Sequence, residues 1–503
     1  MVSYSNPVLP GAFPDPAVCR VGGDFYLACS SFEYWPGYPV LHSRDLVHWR
    51  IIGHAFGADS GIALDQAPHG MGLWGGGLRH IRGRFWCVTT TSEDGQSLLS
   101  SAVDPAGPWT PPVRLGRLGM DPDLFEDVDG STYYCLRAYG PGRSQPVGAR
   151  LARIDLDAGK LLEDLQLILP ETNQFGIEGP RILHHDGWYY LHCAAGGTEH
   201  GHCQPVWRSR TLRGPYERGP HDLIPNQASF WGVPQCIGHG ELIDDAQGRW
   251  WVLFHGNRIG PSHGTLAGRE LYLAPVTWRD GWPQAAAGDL IRWQMAADLP
   301  SVQPWPRTDR DLFSDSPLPP HYQTLRQPPA EAWSLSSNGL VLRGTATALH
   351  DPLPAPAWVG RRLDVVEGYF RAQVEVELGA ANDEAGLVAW LNERHFAALT
   401  LVRRDGRRLA VLRRRVGDLQ DEVGAVAVAD GPVVLRFDFD PATIRAGIEV
   451  DGVVLPVGIH DRHLISFEVG GKFSGPYVAM YASGNGRPAS AAATFRWCDR
   501  HGT

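Results

Sequence analysis

The sequence predicts an all-β fold, a five-bladed propeller over residues 1–300 followed by a β-sandwich over 330–503, and three observations predict it. One layout recurs five times: a turn motif, an apolar strand, a Gly or Asp-Gly turn, then an aromatic-rich strand. Glycine and proline are abundant, 59 and 40 among 503 residues, which suits many turns between short strands. Beyond residue 330 apolar side chains alternate with polar ones, the pattern of half-buried strands.

The five repeats open at Asp15, Trp74, Asp121, Glu178 and His239. Aromatic pairs follow ten to twelve residues later, at Phe25-Tyr26, Phe85-Trp86, Tyr133-Tyr134, Tyr189-Tyr190 and Trp250-Trp251. Repeats of roughly fifty residues made of short strands read as propeller blades, whose innermost strands surround a central channel. Eight prolines between Pro300 and Pro329 then end the pattern, and 301–329 is expected to be an extended linker. In the stretch Phe370–Leu378 every second side chain is apolar, placing Phe370, Ala372, Val374, Val376 and Leu378 on one buried face. Similar strands are expected at 395–402, 409–413, 433–439 and 448–455, with Asp405-Gly406 and Asp451-Gly452 as hairpin turns. Several such strands with one polar face build a sandwich.

The net charge of -10 and a pI near 6.0 argue against a polyanionic partner, because nucleic-acid binding draws on clustered Lys and Arg. The arginines at 403, 404, 407, 408, 413, 414 and 415 read instead as a solvated strand face. No uncharged apolar run reaches the roughly 18 residues of a membrane span, and the first ten residues lack a basic leader. A cytoplasmic protein with no membrane partner is expected, and a homo-oligomer stays open. Six of the eight cysteines, at 19, 29, 87, 135, 193 and 236, lie in or beside apolar strands without zinc-site spacing, as buried free thiols do. The stretch His200-Gly201-His202-Cys203 is an incomplete ligand set and reads as a loop.

Three of the five repeat openers are carboxylates, Asp15, Asp121 and Glu178, and they can converge on one axial pocket. Breaking a glycosidic bond with inversion needs a protonated carboxylic acid at the leaving oxygen and a carboxylate that activates water on the opposite face. A third carboxylate nearby raises the pKa of the acid, because like charges in a pocket resist joint ionisation. Asp15 and Asp121 each precede a proline, and Asp-Pro is also an ordinary turn starter. Glu178 is less ordinary, a charge at the head of the apolar strand Arg181-Ile182-Leu183. Recurrence at matching positions in three repeats favours chemistry over turns.

These motifs, in this order and spacing, resemble glycoside hydrolase family 43, the inverting β-xylosidases and α-L-arabinofuranosidases. The stretch from Ser30 to Val40, Ser-Ser-Phe-Glu-Tyr-Trp-Pro-Gly-Tyr-Pro-Val, followed by His42-Ser43-Arg44-Asp45-Leu46-Val47-His48-Trp49, is similar to the β-xylosidase branch. Glu384-Ala385-Gly386-Leu387 and Gly471-Lys472-Phe473-Ser474-Gly475 resemble the concanavalin-like sandwich fused to many of those enzymes. The resemblance implies that Asp15 is the general base, Glu178 the general acid, and Asp121 the carboxylate that orients the acid and raises its pKa. It also implies that Arg269 binds sugar hydroxyls, although Arg269 read alone is equally a surface partner of Glu270.

His239 matches a histidine near the propeller axis that in some relatives holds a water or a metal. The resemblance therefore implies no required cofactor but admits a Ca2+ ion near the axis. Phe32 and Trp74, with Trp35, are expected to line the sugar pocket, and Phe473 to help close it.

The sequence departs from the family pattern at Gly75-Gly76-Gly77, where Ala-Pro is usual, at Asp123, where a small polar residue is usual, and at Gly240-Glu241. The expected activity is that of an exo-acting β-D-xylosidase on short xylooligosaccharides, with α-L-arabinofuranosidase or dual activity as the alternative and non-hydrolytic sugar binding as the reading outside enzymes. The fructan-cleaving five-bladed propellers carry other motifs at the three carboxylates.

Overall fold

The computed structural model describes every residue except 1, 139–145, 172–175, 301–303, 307–308, 315–316, 381, 472, 490 and 503. Five antiparallel sheets follow one another along the chain, each in up-and-down order. Their innermost strands are Ala17–Val21, Leu73–Ile81, Met120–Glu126, Glu178–His185 and Gln235–Asp244, and each contacts its neighbours around a ring. The strand after each one carries the aromatic pair of its repeat. The fold is a five-bladed propeller, and the repeat openers stand at the heads of the inner strands or within them.

The inner strands are not regular where it matters. Register shifts fall between Leu73 and Gly76, Met120 and Asp123, Glu178 and Arg181, and between Gln235 and Glu241. Asp15, Asp121 and His239 adopt positive φ of 56°, 50° and 49°. Such bulges turn a side chain out of the alternation of a flat strand, and here they aim it along the channel. Outside the five blades Val2–Ser5 pairs with Gln294–Ala297, and the neighbouring Asn6 Nδ2 donates to Leu273 O at 3.0 Å.

The C-terminal part is a sandwich of two eight-stranded antiparallel sheets enclosing Leu387, Leu399, Leu435, Phe437, Met480 and Phe495. Strands Gly368–Val376, His395–Arg404, Arg407–Val416 and Val433–Phe439 overlap the expected stretches, the first ending at Val376 and not at Leu378. The stretch expected as one strand over 448–455 is a hairpin, with strands Thr443–Val450 and Val453–Asp461 turning at Asp451-Gly452.

The Pro-rich segment also differs from a free linker. Arg310–Leu312 pairs with Ala492–Gly502, and Gln323–Leu325 pairs with Ala357–Arg362, so both lie inside the sandwich sheets. Its prolines fall outside these short strands, where no ladder donor is needed.

One strand crosses between the two halves of the chain. Tyr34–Trp35, from the first blade, pairs with Gln323–Leu325 as the outermost strand of a sandwich sheet. Tyr34 is buried with Trp358, Tyr477 and Tyr481, and its ring stacks on Tyr477 at 3.8 Å. Trp35 is thereby committed to the junction, which corrects its expected place in the sugar pocket.

All eight cysteines are free thiols, and seven are buried. Among the described residues no helix is long and apolar enough to cross a membrane. The arginine-rich hairpin is more paired than a bare solvated face: Arg414 binds Asp421, Arg404 binds Glu422, Arg413 binds Glu384, and Arg408 is buried.

Candidate active site

A pocket of about 90 Å³ opens at the head of the inner strands, lined by Asp15, Phe32, Trp74, Gly75, Met120, Asp121, Glu178, Thr198, His239, Arg269 and Phe473. Eight of the nine residues expected at the site lie in this lining, and Trp35 does not. Three blades supply the carboxylates, the fifth supplies His239, and the sandwich supplies Phe473.

Asp15 is the most heavily bonded of the three acids. Its Oδ1 accepts from Arg269 Nη1 at 2.7 Å and lies 3.1 Å from His239 Nδ1, and its Oδ2 accepts from Ser30 Oγ at 2.6 Å. The Asp15 backbone N–H donates to His255 Nδ1 at 3.0 Å. Burial pushes its carboxyl pKa up, but Arg269 and then His239 outweigh that and hold it well below the usual carboxylate range. Asp15 is an anion at any ordinary pH.

Glu178 is the opposite case. Burial, then the nearby Asp121 charge, push its pKa up to about 7. Asp121 is itself raised, by burial foremost, against the lowering influence of His239. The Asp121, Glu178 and His239 donor atoms lie within 4.8 Å of one another, as do those of Asp15, His239 and His255. Asp15 and Glu178 fall in different sets joined through His239.

Two glycines set how closely these groups approach. A Cβ at Gly75 would stand 2.6 Å from Asp121 Oδ1, and one at Gly179 would overlap His239 Nε2. Gly179 also has φ +51°, where side chains are disfavoured. The unusual glycine run after Trp74 is therefore where the wall meets the carboxylates.

Further along the same strands lies a buried charge cluster. Arg79 binds Asp123 and Glu241, Arg181 Nη1 lies 3.3 Å from Asp123 Oδ1, and Arg181 Nε lies 3.2 Å from Glu241 Oε2. Arg181 Nη2 donates to Gly76 O at 2.6 Å. Asp123 and Glu241, two departures from the family pattern, thus belong to one network. A Cβ at Gly77 would overlap Asp123 Oδ1, so the glycine run makes room for it.

The donors around His239 do not fit the expected Ca2+. Calcium takes six to eight oxygens, whereas the Asp15 side offers two imidazoles and a carboxylate already neutralised by Arg269. In the next layer along the axis the Asp123 and Glu241 carboxylates are already paired with Arg79 and Arg181. His239 is raised in pKa by Asp15 despite burial, so it serves as a hydrogen-bonding or cationic neighbour of the acids.

Arg269 does not pair with Glu270, which binds Arg258 at 2.6 Å instead. Besides Asp15, it donates from Nη2 to Phe473 O at 2.9 Å. The Phe473 ring stands 6.4 Å from Trp74, tilted across the pocket mouth. Ser474 Oγ lies 3.1 Å from His69 Nδ1, and that nitrogen lies 3.0 Å from Glu33 Oε1, so the segment is held to the first blade. Ser30, His255, Met120 and Thr198 join the site without having been singled out. His255 sits in the apolar strand Trp250–Asn257, where a lone histidine reads as core. His202 is buried, with Nδ1 2.9 Å from Cys236 O and its ring 5.0 Å from that of His255. It is a buried supporting residue within the loop that the sequence predicts.

The family model described as glycosyl hydrolases family 43 matches residues 4–283, and that described as the beta xylosidase C-terminal concanavalin A-like domain matches 310–500. A non-reducing end alpha-L-arabinofuranosidase of Bacteroides ovatus is 33% identical, covering 99% of this chain and 94% of its own. A xylosidase/arabinosidase of Butyrivibrio fibrisolvens is 30% identical over 99% of this chain and 98% of its own. Among solved structures, a xylan beta-1,4-xylosidase from Bacillus halodurans superposes with a TM-score of 0.91 at 26% identity, covering 99% of each chain.

Proposed function

The chain belongs to glycosyl hydrolase family 43, and from that premise we propose that it is an inverting, exo-acting β-D-xylosidase that removes single xylose units from the non-reducing ends of short xylooligosaccharides. The observation that carries this reading is the opposed surroundings of two carboxyl groups in one pocket, Asp15 with Oδ1 2.7 Å from Arg269 Nη1 and Glu178 half-buried close to Asp121, which favour an ionised Asp15 and push the Glu178 pKa up to about 7. Glu178 gives its proton to the leaving oxygen as the glycosidic bond breaks. Asp15 takes a proton from the water that attacks the anomeric carbon from the other face. Asp121 stays close to Glu178 and keeps its proton on. Arg269 turns its remaining donor capacity to the sugar hydroxyls, since a planar fork suits two neighbouring oxygens. Phe32 and Trp74 offer apolar surface to the sugar ring, and Phe473 narrows the mouth, which favours a chain end over an internal unit. No step draws on a cofactor.

A second reading, α-L-arabinofuranosidase or dual action, is favoured by the name of the Bacteroides ovatus relative and by Gly75, which leaves that wall without a side chain. Initial rates on an aryl β-xyloside and an aryl α-arabinofuranoside distinguish the two. A faster xyloside supports the first reading, a faster arabinofuranoside the second, and no cleavage of either defeats both.

A further inference from the structure

Among the described residues, the exposed large aromatic side chains are Phe230, Trp231 and Phe473, at 49%, 85% and 45% exposure. A single exposed apolar side chain is ordinary. Three aromatics on one face of the molecule are not.

Phe473 lines the pocket, and the other two sit on the same rim. Phe230 O accepts from Gln235 Nε2 at 2.9 Å, at the head of the inner strand that carries His239. Asn226 Nδ2 donates to His202 O at 2.9 Å and to His200 O at 2.5 Å, which joins this segment to the loop beginning at the pocket residue Thr198. On its other side the Trp231 ring lies 6.0 Å from that of His263. Two residues on, Thr265 donates through N and Oγ1 to Glu468, at 2.9 and 2.5 Å, in the short helix Phe467–Gly470 that leads to Phe473. Trp231 therefore stands on an arc of rim between Thr198 and Phe473, while not itself lining the pocket.

We infer that Trp231, with Phe230 beside it, is a stacking platform for a neutral sugar unit of the leaving group, beyond the unit next to the scissile bond. An indole this exposed keeps a flat apolar face in water, and the carbon-bound hydrogens of a pyranose ring cover such a face while its hydroxyls stay solvated. The platform rewards longer oligosaccharides without touching the reacting atoms. It rests on the proposed pentoside hydrolysis for the identity of the sugar.

The test is the ratio of kcat/KM for xylotetraose to that for xylobiose, in the parent protein and in Trp231→Ala and Trp231→Phe. The ratio falls roughly fivefold to tenfold in Trp231→Ala, the size of one aromatic contact, and returns most of the way in Trp231→Phe. Loss of folding lowers both rates together and leaves the ratio alone, so an unchanged ratio overturns the platform. Titration of Glu178→Gln, with and without Trp231→Ala, against xylotetraose by tryptophan fluorescence separates the two inferences. If the parent releases no xylose but Trp231→Ala still weakens binding, the proposed activity falls and the platform stands. If binding is unchanged, the platform falls.

Discussion

Glu178 and Asp15 show how one pocket gives two carboxyl groups opposite surroundings, and the proposed division of roles rests on them. Glu178→Gln keeps the shape and removes the transferable proton, so kcat on an unactivated xylooligosaccharide drops by roughly 10²- to 10⁴-fold. A parent-like rate removes Glu178 from the chemistry. The pH profile follows from the directions of the shifts. Glu178 has a raised pKa and is active when protonated, so kcat declines as pH rises through about 7. Asp15 is active when ionised and has a lowered pKa, so it sets no limb in the neutral range. An alkaline limb far above neutrality would contradict this division of roles. Gly75→Ala pushes the Asp121 carboxylate away, because the new methyl would stand 2.6 Å from Oδ1. The expected result is a loss of roughly 10- to 100-fold in kcat. The alkaline limb also moves to lower pH, since Asp121 then raises Glu178 less.

At the scale of the element, four of the five inner strands deliver one group to the pocket and, after a register shift, another to the ion cluster behind it; Trp74 and Arg79 are such a pair. Glu178 and Arg181 share a strand, as do Asp121 and Asp123, and His239 and Glu241. Removing Arg181 leaves Asp123 and Glu241 buried with one cation fewer. Arg181→Met is therefore expected to cost about 3–5 kcal/mol in urea unfolding, as for other broken buried pairs. A cost below about 1 kcal/mol would show that the network is not closely coupled.

The blade order, the repeat openers and the aromatic second strands were legible in the sequence, because turn chemistry and apolar periodicity are local. The ion cluster was not. Asp123 and Glu241 stood out only as departures, and their partner Arg181 looks like any polar residue opening a strand. The register shifts were equally hidden, for they depend on the strand opposite. His255 and Ser30 carry no local signal, since each is marked only by its contact with Asp15.

The whole molecule behaves as one unit in which the sandwich completes the propeller. Phe473 lines the pocket, Arg462 Nη2 donates to Leu266 O at 3.0 Å, and Arg362 Nε donates to Ala12 O at 2.6 Å. A chain ending at residue 300 loses all three contacts and leaves Tyr34 uncovered. It is expected to be poorly soluble or to lack activity on any pentoside, as read by soluble yield and turnover. Full activity from that fragment would mean the sandwich is dispensable. The prolines of 301–329 concealed this dependence, because the strands they separate find partners between about 35 and 290 residues away.

Tyr34 and Trp35 lie only two and three residues from Phe32 and four and five from Ser30, the hydroxyl that touches Asp15. Any tilt of the C-terminal half pulls on a segment whose other end grips the Asp15 carboxylate. Grafting a foreign accessory module onto this propeller would then retune its reaction centre unless the crossing segment and its docking strand travel together.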